Sequence, residues 1–341
     1  MVLGLGALAC VPDVEIDESR LGAPRLLAVR AEPPEVAPGQ VQRYVGLFAG
    51  ADGVLDAAPL DWAYCLARKP LAELGPVSGA CLEVEGDAIA PIGVGLAVEG
   101  ALPRESCRLF GPEPPPTVPG EPIGRPVDPD VTGGYTQPLR LLVPDGAEIR
   151  PSLFEVRIAC GLFGATQAES VAYTQRYRRN TAPGIEALEL VHQDGRVVTL
   201  EPGATTSAPR GEQVTLRARW PACPDADACG DGLCGIDETR ASCPDDCSDP
   251  AAVGCAGAER FLRFDLGTRA LVADRESVRL AWYASDGSFE AARTGVSGDE
   301  ALTLSENGLT LPEAPTELVV IVVLRDERGG ATWREARLRV E

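Results

Sequence analysis

Cysteine is the residue that most constrains how this chain can fold. The sequence contains 11 cysteines, and six of them lie between Cys223 and Cys255. With Cys10 set aside, four remain in the first half and six in the second, so both groups are even. Even, dense groups are typical of oxidised proteins and favour disulfides over free cytosolic thiols. The ten cysteines predicted to form disulfides are Cys65, Cys81, Cys107, Cys160, Cys223, Cys229, Cys234, Cys243, Cys247 and Cys255.

The first residues have the features of an export signal. Residues 2–9 are apolar or glycine, and they end in Ala-Leu-Ala directly before Cys10. This segment resembles the lipobox of bacterial lipoproteins, in which the peptide is removed and the cysteine carries lipid. The resemblance implies a signal-peptide remnant over residues 1–9, lipidation of Cys10 and an acidic tether over residues 10–23. It also implies an outer-membrane lipoprotein of the cell envelope, because Val11 rather than aspartate follows the cysteine.

Charge and composition exclude several classes of function. Fifty-one acidic residues against 31 basic ones give a net charge of −20, whereas nucleic-acid binding requires a basic surface. The only histidine, His192, lies beside a predicted turn, where we expect it at the surface, and no nucleophile elbow or phosphate-binding loop accompanies it. We therefore predict a protein that is not an enzyme and needs no cofactor. A carboxylate pair for glycoside hydrolysis is the alternative that the sequence leaves open.

Apolar residues alternate with a period of two through most of the chain. Val214, Leu216 and Ala218 alternate with polar residues, which is typical of a strand with one buried face. The dipeptide Asp194-Gly195 lies between two such segments and predicts a hairpin. Further strands are predicted at residues 26–31, 41–48, 60–66, 278–283, 318–324 and 332–340, the penultimate being a dense, deeply buried run of valine, leucine and isoleucine.

One segment supports two interpretations. Residues 154–159 and 171–177 fit a hairpin that closes the first half of the chain, since apolar and aromatic residues at 171, 173 and 177 keep a period of two. A helix over residues 165–176 is the competing interpretation.

The chain divides into two similar units, opened by an Ala-Pro pair at residues 23–24 and again at 182–183. Residues 282–288, Trp-Tyr-Ala-Ser-Asp-Gly-Ser, and the valine-rich strand that follows resemble immunoglobulin-like and PKD-like domains of secreted bacterial proteins. The resemblance implies an all-β fold with two immunoglobulin-like β-sandwich domains in tandem, over residues 24–180 and 181–341. It indicates the sandwich but not its function.

The resemblance also bears on the pairing of cysteines in the first domain. In a sandwich of this type, the strands that end near Cys65 and Cys160 are neighbours. Among the three pairings that four cysteines allow, this favours Cys65–Cys160 with Cys81–Cys107.

Two features carry alternative surface roles. Residues 112–129 contain eight prolines and predict an extended loop in the first domain, either a solvated excursion or a docking strip for a partner. The tryptophans lie within strand patterns, which favours core packing over an exposed platform for sugars. They are Trp62, Trp220, Trp282 and Trp333.

The second domain contains a cysteine-rich insert over residues 221–257. Its sequences Cys-Gly-Asp-Gly-Leu-Cys at 229–234 and Cys-Pro-Asp-Asp-Cys at 243–247 resemble the CGDGxC…CPxDC modules of extracellular bacterial proteins, here in a lipoprotein of myxobacterial type. With almost no aliphatic residues, the insert needs crosslinks or a metal to fold. The cysteine spacing favours three disulfides over zinc and leaves their connectivity open.

Carboxylates crowd the same insert. Calcium binds six to eight hard oxygens, and if an ion is bound we expect Asp231, Asp237 and Glu238 among its ligands. A solvated acidic knob without calcium is the alternative.

These observations predict a lipid-anchored envelope protein that displays two sandwiches to an unknown protein or glycan partner, with the membrane bound only through the N-terminal lipid. One alternative is a calcium-dependent adhesion or carbohydrate-binding module. Another is a non-catalytic accessory component of a secreted hydrolase system.

Overall fold

A computed structural model describes most of the chain, namely residues 17–112, 124, 129–145, 148–224, 229–247 and 254–341. The predicted signal remnant, Cys10 and most of the proline-rich segment lie outside the described residues. None of the helices in the described ranges has the length and hydrophobicity of a membrane-spanning segment. Strands dominate, which confirms the all-β fold with two sandwiches in tandem along the sequence.

The first sandwich consists of two sheets. Its strands, in chain order, are β1 (Arg25–Glu32), β2 (Glu35–Val36), β3 (Val41–Gly50), β4 (Gly53–Val54), β5 (Asp61–Cys65), β6 (Ile89–Val94), β7 (Ala97–Ala101), β8 (Tyr135–Asp145) and β9 (Glu148–Ile158). One sheet contains β1, β3, β4 and β7, and the other has the order β2-β9-β8-β5-β6. A short helix, α1 (Ser106–Phe110), precedes β8.

Trp62 forms the centre of the first core, between the two sheets. Its side chain is fully buried, its Nε1 donates to the carbonyl of Gly95 at 2.7 Å, and Tyr44 stacks against it. The hydroxyl groups of Tyr44 and Tyr64 lie 2.8 Å apart, so these buried polar atoms satisfy each other. The predicted core position of Trp62 is confirmed.

The second sandwich follows a helix, α2 (Gln167–Arg176). The remaining strands are β10 (Ala187–Val191), β11 (Val197–Thr199), β12 (Thr205–Ala208), β13 (Gln213–Arg219), β14 (Arg260–Asp265), β15 (Ala270–Arg275), β16 (Val278–Ala284), β17 (Ser288–Phe289), β18 (Arg293–Val296), β19 (Leu304–Thr310), β20 (Thr316–Asp326) and β21 (Ala331–Val340). The sheets have the orders β11-β10-β13-β19-β17 and β12-β21-β20-β16-β18, and Trp220 and Trp282 are buried between them.

The hairpin β14–β15 belongs to neither sheet of the second sandwich. It forms a two-stranded sheet of its own directly after the cysteine-rich insert. The excursion from the sandwich therefore extends beyond the predicted limits 221–257 and ends only where β16 begins.

Helix α2 replaces the predicted second strand of the closing hairpin, so the hairpin interpretation of residues 171–177 is wrong. Thr166 and Glu169 form a capping box, in which each side chain accepts a hydrogen bond from the backbone N–H of the other. Tyr173 and Tyr177 lie one turn apart and stack with ring centroids at 4.6 Å. The apparent period of two came from this spacing of four, which also fits one helical face.

The two sandwiches pack face to face rather than end to end. In β20, Val320 and Val322 point into the second sandwich, whereas Val319, Ile321 and Val323 point out of it. The outward residues contact the outer faces of β1 and β3, so that four sheets form a stack. A strand buried on both faces explains the uninterrupted apolar sequence 318–324.

Candidate functional site at the junction of the sandwiches

An apolar interface joins the first sandwich to the second. It is formed by Leu21, Leu27, Ala28, Leu47 and Ala49 on one side, and by Ala281, Val319, Ile321 and Val323 on the other. Cations border it: the guanidinium of Arg30 lies 4.6 Å from the ring centroid of Trp333, which is half-buried, and Arg325 donates to the carbonyl of Leu27 at 2.9 Å. Arginine stacked on an aromatic ring contributes on the order of 1 kcal/mol.

The segment that precedes β1 is bound to the second sandwich. The backbone N–H of Leu21 donates to the carbonyl of Ala284 at 2.8 Å, and the N–H of Ala284 donates to the carbonyl of Ser19 at 2.9 Å. Arg20 pairs with Asp286 at 3.0 Å. Residues 19–21, which lie within the segment 10–23 predicted to be a tether, are therefore part of the junction.

Helix α2 and the cysteine-rich insert meet on the other side of the junction. Tyr173 packs with Ile236 of the insert and Leu262 of β14 in a small separate core. Arg176 donates to the carbonyl of Ile236 at 3.1 Å and pairs with Asp237 at 2.8 Å. The insert thus interrupts the second sandwich in sequence but rests on the helix that ends the first unit.

Arg178 connects the segment after α2 to the disulfides of the insert. Its Nε lies 2.9 Å from the Sγ of Cys234, and its Nη2 donates to the carbonyl of Glu238 at 2.5 Å. The disulfide Cys234–Cys247 therefore fixes the part of the insert that contacts Arg178.

A buried ionic cluster lies where the first sandwich meets this segment. Glu35 is 1% exposed and accepts from the Tyr177 hydroxyl at 2.6 Å and from the backbone N–H of Asn180 at 3.0 Å. Arg157 of β9 lies 3.4 Å from Glu35. The side-chain amide of Asn180 donates to Asp326 at 3.2 Å, so that it bridges residues of both sandwiches. The segment between the two units is fixed on both sides.

Arg328 is the centre of the second half of the cluster. It is 2% exposed, its Nε donates to Glu276 at 2.6 Å, and its Nη2 donates to Glu259. Its backbone N–H donates to Asp326 at 2.9 Å. Two buried carboxyl groups therefore bind the guanidinium of Arg328, and a third, that of Asp326, accepts from its backbone N–H.

Burial raises the pKa of these carboxyl groups. It raises the pKa of Glu259 to about 7, against the opposing attraction of Arg328, and raises the pKa of Glu276 well above its ordinary range. The pKa of Asp326 also rises, again chiefly because of burial. For Arg328, burial disfavours the charge, but attraction by Glu276 and Glu259 outweighs it and raises the pKa. We therefore expect Arg328 to stay charged while Glu259 titrates near neutral pH.

This cluster was not predicted from the sequence. Glu35, Glu259, Glu276 and Arg328 are distant along the chain, and each resembles an ordinary surface charge. The charged groups of the cluster bind one another and nearby backbone atoms. The cluster therefore fixes the two sandwiches relative to each other. The capping-box pattern at Thr166 was the available signal for the helix that completes the junction.

The disulfides of the first sandwich differ from the predicted pairs. Cys65 is bonded to Cys81 with Cα atoms 5.2 Å apart, and Cys107 to Cys160 with Cα atoms 5.6 Å apart. The predicted Cys65–Cys160 pair is wrong because β8 lies between β5 and β9. Two strand spacings amount to about 10 Å, which exceeds the span of a disulfide.

All six cysteines of the insert are paired. The bonds are Cys223–Cys255, Cys229–Cys243 and Cys234–Cys247. The first closes the base of the insert, and the other two overlap in sequence. They hold a segment that has little hydrophobic core of its own, as the sequence indicated.

The three predicted calcium ligands do not converge. Asp237 pairs with Arg176 and Arg260, and Asp231 accepts from the backbone N–H of Leu233 at 2.8 Å. Glu238 is 3% exposed, and one of its oxygens accepts from the N–H of Gly235. Among the described residues, the groups that bring three potential ligand atoms within 4.8 Å combine Glu238 only with disulfide-bonded cysteines.

His192 is buried, at 6% exposure, so its predicted surface position is wrong. It directly follows β10, and it closes the Asp194-Gly195 turn: its backbone N–H donates to the carbonyl of Arg196, and its carbonyl accepts from the N–H of Gly195. That hairpin itself is confirmed by the pairing of β10 with β11.

No protein-family model matches the chain, and a search of curated proteins finds no match. Solved structures similar to it include a chimeric titin Z1Z2 carrying a decorin peptide, with 12% identity, 94% of this chain and 98% of that chain covered, and a TM-score of 0.19. Adhesin InvE of Yersinia pseudotuberculosis has 9% identity over 95% of this chain and 61% of its own, with a TM-score of 0.21. The C-terminal domain of the Streptococcus agalactiae AgI/II polypeptide BspA has 8% identity over 93% and 99%, with a TM-score of 0.23. Such low scores carry no functional argument.

Proposed function

We propose that this protein is a lipid-anchored component of the bacterial cell envelope that presents two rigidly joined β-sandwiches to a partner outside the cytosol. The observation that carries the proposal is the face-to-face packing of the sandwiches through β1, β3 and β20. A buried apolar interface between the sandwiches suits a structural or display role, because it holds the exposed surfaces of the two sandwiches in a constant relative position. The proposal assigns no catalytic role to the chain, because the buried titratable groups of the junction are used in contacts between its parts.

The location rests on the cysteines. Ten of the 11 form five disulfides, which persist in an oxidising compartment and are rare in the cytosol. The remaining one, Cys10, carries the lipid in this proposal. The net charge of −20 would repel an anionic membrane surface, so the lipid supplies the attachment.

The test is intact-mass measurement of the native protein without reduction, combined with cell fractionation. We expect a product that begins at Cys10, carries acyl chains, contains five disulfides and fractionates with membranes. Cys10→Ser is the matched control: it should lose the acyl chains and keep the five disulfides. A wild-type product that remains soluble with reduced thiols would contradict the proposal.

The calcium-dependent or carbohydrate-binding alternative requires convergent carboxylates or exposed aromatic rings. Asp231, Asp237 and Glu238 do not converge in the described structure. Trp62, Trp220 and Trp282 are at most 1% exposed, and the half-buried ring of Trp333 is covered by the guanidinium of Arg30 at 4.6 Å. The display role is therefore the better supported of the two.

A further inference from the structure

A cavity of about 450 Å³ lies between the start of β1 and the β8–β9 hairpin. One side is formed by residues of the segment 20–26, which leads into β1. The other side is formed by residues of the hairpin, where Val143 and Arg150 are paired directly across the two strands. The cavity is therefore close to the first described residues of the chain.

The lining of this cavity is basic, although the whole chain has a net charge of −20. Its charged side chains are those of Arg20, Arg25 and Arg150, and no acidic residue is among the described residues that line it. Arg20 pairs with Asp286 at 3.0 Å and Arg150 with Glu148 at 3.6 Å, both carboxylates lying outside the lining. These two pairs are exposed, and exposed pairs contribute only about 0–1 kcal/mol each.

Arg25 supplies a positive charge that these pairs do not balance. Its Nη2 donates to the carbonyl of Glu18 at 2.6 Å and to that of Arg20 at 3.1 Å. Its guanidinium lies 5.8 Å from the ring centroid of Tyr283. All three partners are uncharged groups, and none of the ion pairs between described residues includes Arg25. These contacts fix the guanidinium in place without neutralising it.

The donors that line the cavity suit a phosphate group. They come from three separate places, namely the segment before β1, β1 itself and β9, and Ser152 adds a hydroxyl group. A tetrahedral phosphate presents oxygens in several directions, whereas a planar carboxylate presents only two. Arginine also matches phosphate oxygens with paired N–H groups.

Apolar side chains lie beside the guanidinium groups. Leu26 and Pro144 are half-buried in the lining, and Pro24 is exposed. Cavities of this size that combine apolar surface with a few polar groups are typical of ligand sites. The lining therefore fits a ligand that joins a phosphate to an apolar body.

We infer that this cavity binds the phosphate group of a membrane lipid, with the apolar part of the lipid against Leu26 and Pro144. The inference rests on the proposed lipid anchor: Arg20 is ten residues after Cys10, and a chain of that length reaches at most about 35 Å. Basic cavities close to a membrane surface bind phosphate headgroups. The acyl chains supply the attachment, and the cavity orients the two sandwiches on the membrane.

The test uses the Cys10→Ser protein and three probes: dihexanoyl phosphatidate, dihexanoylglycerol, which has the same acyl chains without the phosphate, and inorganic phosphate. Each probe is titrated below its micelle concentration and followed by isothermal titration calorimetry. We expect saturable binding of the phosphatidate, about tenfold tighter than that of either other probe. Equal binding of inorganic phosphate would indicate a site for free phosphate, and equal binding of dihexanoylglycerol would indicate an apolar site without charge recognition. Either result overturns the inference.

Two variants examine the guanidinium groups. Arg25→Gln should weaken phosphatidate binding by about tenfold and leave dihexanoylglycerol binding unchanged. Arg150→Gln, at a side chain that is 67% exposed, should weaken phosphatidate binding by about threefold. Arg339→Gln removes an equal charge from an exposed pair with Glu317 on the second sandwich, and as the matched control it should change neither affinity.

These titrations separate the inference from the proposed function, because the Cys10→Ser protein has no acyl chain at this position. A wild-type protein that fractionates as soluble would contradict the proposed anchor, whereas the cavity is tested by the probes alone. Non-reducing mass measurement of five disulfides verifies that each variant folds. The inference is overturned if the phosphatidate does not saturate, or if Arg339→Gln weakens its binding as much as Arg25→Gln does.

Discussion

At the scale of single residues, the guanidinium of Arg328 faces more negative charge than it can neutralise. Glu259, Glu276 and Asp326 are all buried around it, and the neighbouring Glu35 is already paired with Arg157. Buried carboxyl groups without a counter-charge retain a proton. Because burial raises the pKa of these carboxyl groups, we expect the folded junction to hold a proton near neutral pH that the unfolded chain would release.

This arrangement makes stability depend on pH in a defined direction. The pKa of Glu259 is raised from 4.5 to about 7 in the folded state. Between these values the folded chain binds more protons than the unfolded one, so the contribution is fully present below pH 4.5 and is lost as pH rises through about 7. Glu276 and Asp326 act in the same direction, because burial raises the pKa of each.

We expect Glu259→Gln to flatten this dependence. The free energy of unfolding of wild type should fall relative to that of the variant by on the order of 1–3 kcal/mol between pH 5 and pH 8. Urea denaturation at a series of pH values measures the difference. Glu306→Gln, which removes an exposed partner of Arg217, is the control and should keep the wild-type slope. Equal slopes for wild type and Glu259→Gln would show that this carboxyl does not carry a shifted proton.

At the scale of secondary-structure elements, α2 depends on its N-terminal cap. The helix is short, and only Tyr173 is buried on it. Short helices are stabilised mainly by caps and tertiary contacts.

Removing the cap hydroxyl with Thr166→Ala should destabilise the protein by about 1 kcal/mol, since it removes a hydrogen bond to an otherwise unpaired N–H. Hydrogen exchange should accelerate in α2 and in the contacting residues of the insert. Thr174→Ala, which removes a hydroxyl that only bonds back to Ser170, is the matched control and should be close to neutral. Similar exchange in both variants would mean that the capping box does not hold the helix.

Adjacent residues of β20 take part in two different kinds of packing, the interface between the sandwiches and the core of the second sandwich. Ile321 is fully buried in the interface between sandwiches, and Val322 is fully buried in the core of the second sandwich.

We expect Ile321→Asp to separate the sandwiches while each remains folded, and Val322→Asp to unfold the second sandwich, because a lone buried charge is costly. Near-ultraviolet circular dichroism of the tryptophans reports core packing, and small-angle X-ray scattering reports separation. Loss of the tryptophan signal in Ile321→Asp, or its retention in Val322→Asp, would refute this assignment of faces.

At the scale of the whole molecule, the sequence predicted the strands better than their arrangement. Period-two alternation located β13, and the Asp-Gly dipeptide located the β10–β11 turn, because both signals are local. The apolar sequence 318–324 indicated a strand buried on both faces, but nothing local showed that the outer faces of β1 and β3 cover it.

The remaining errors have the same origin. The pairing of Cys65 depends on strand order, which alternation does not encode. Glu259 and Arg328 resemble solvated charges until the chain brings them together. These features depend on contacts between residues that are distant in sequence.

The central claim is that the two sandwiches form one rigid stack, and small-angle X-ray scattering of the Cys10→Ser protein tests it most directly. A compact particle of 341 residues should have a radius of gyration of about 20 Å and a distance distribution with one maximum. Two independent sandwiches joined end to end would give about 25 Å or more and a second maximum. The first result is the one we expect, and the second would contradict the face-to-face packing.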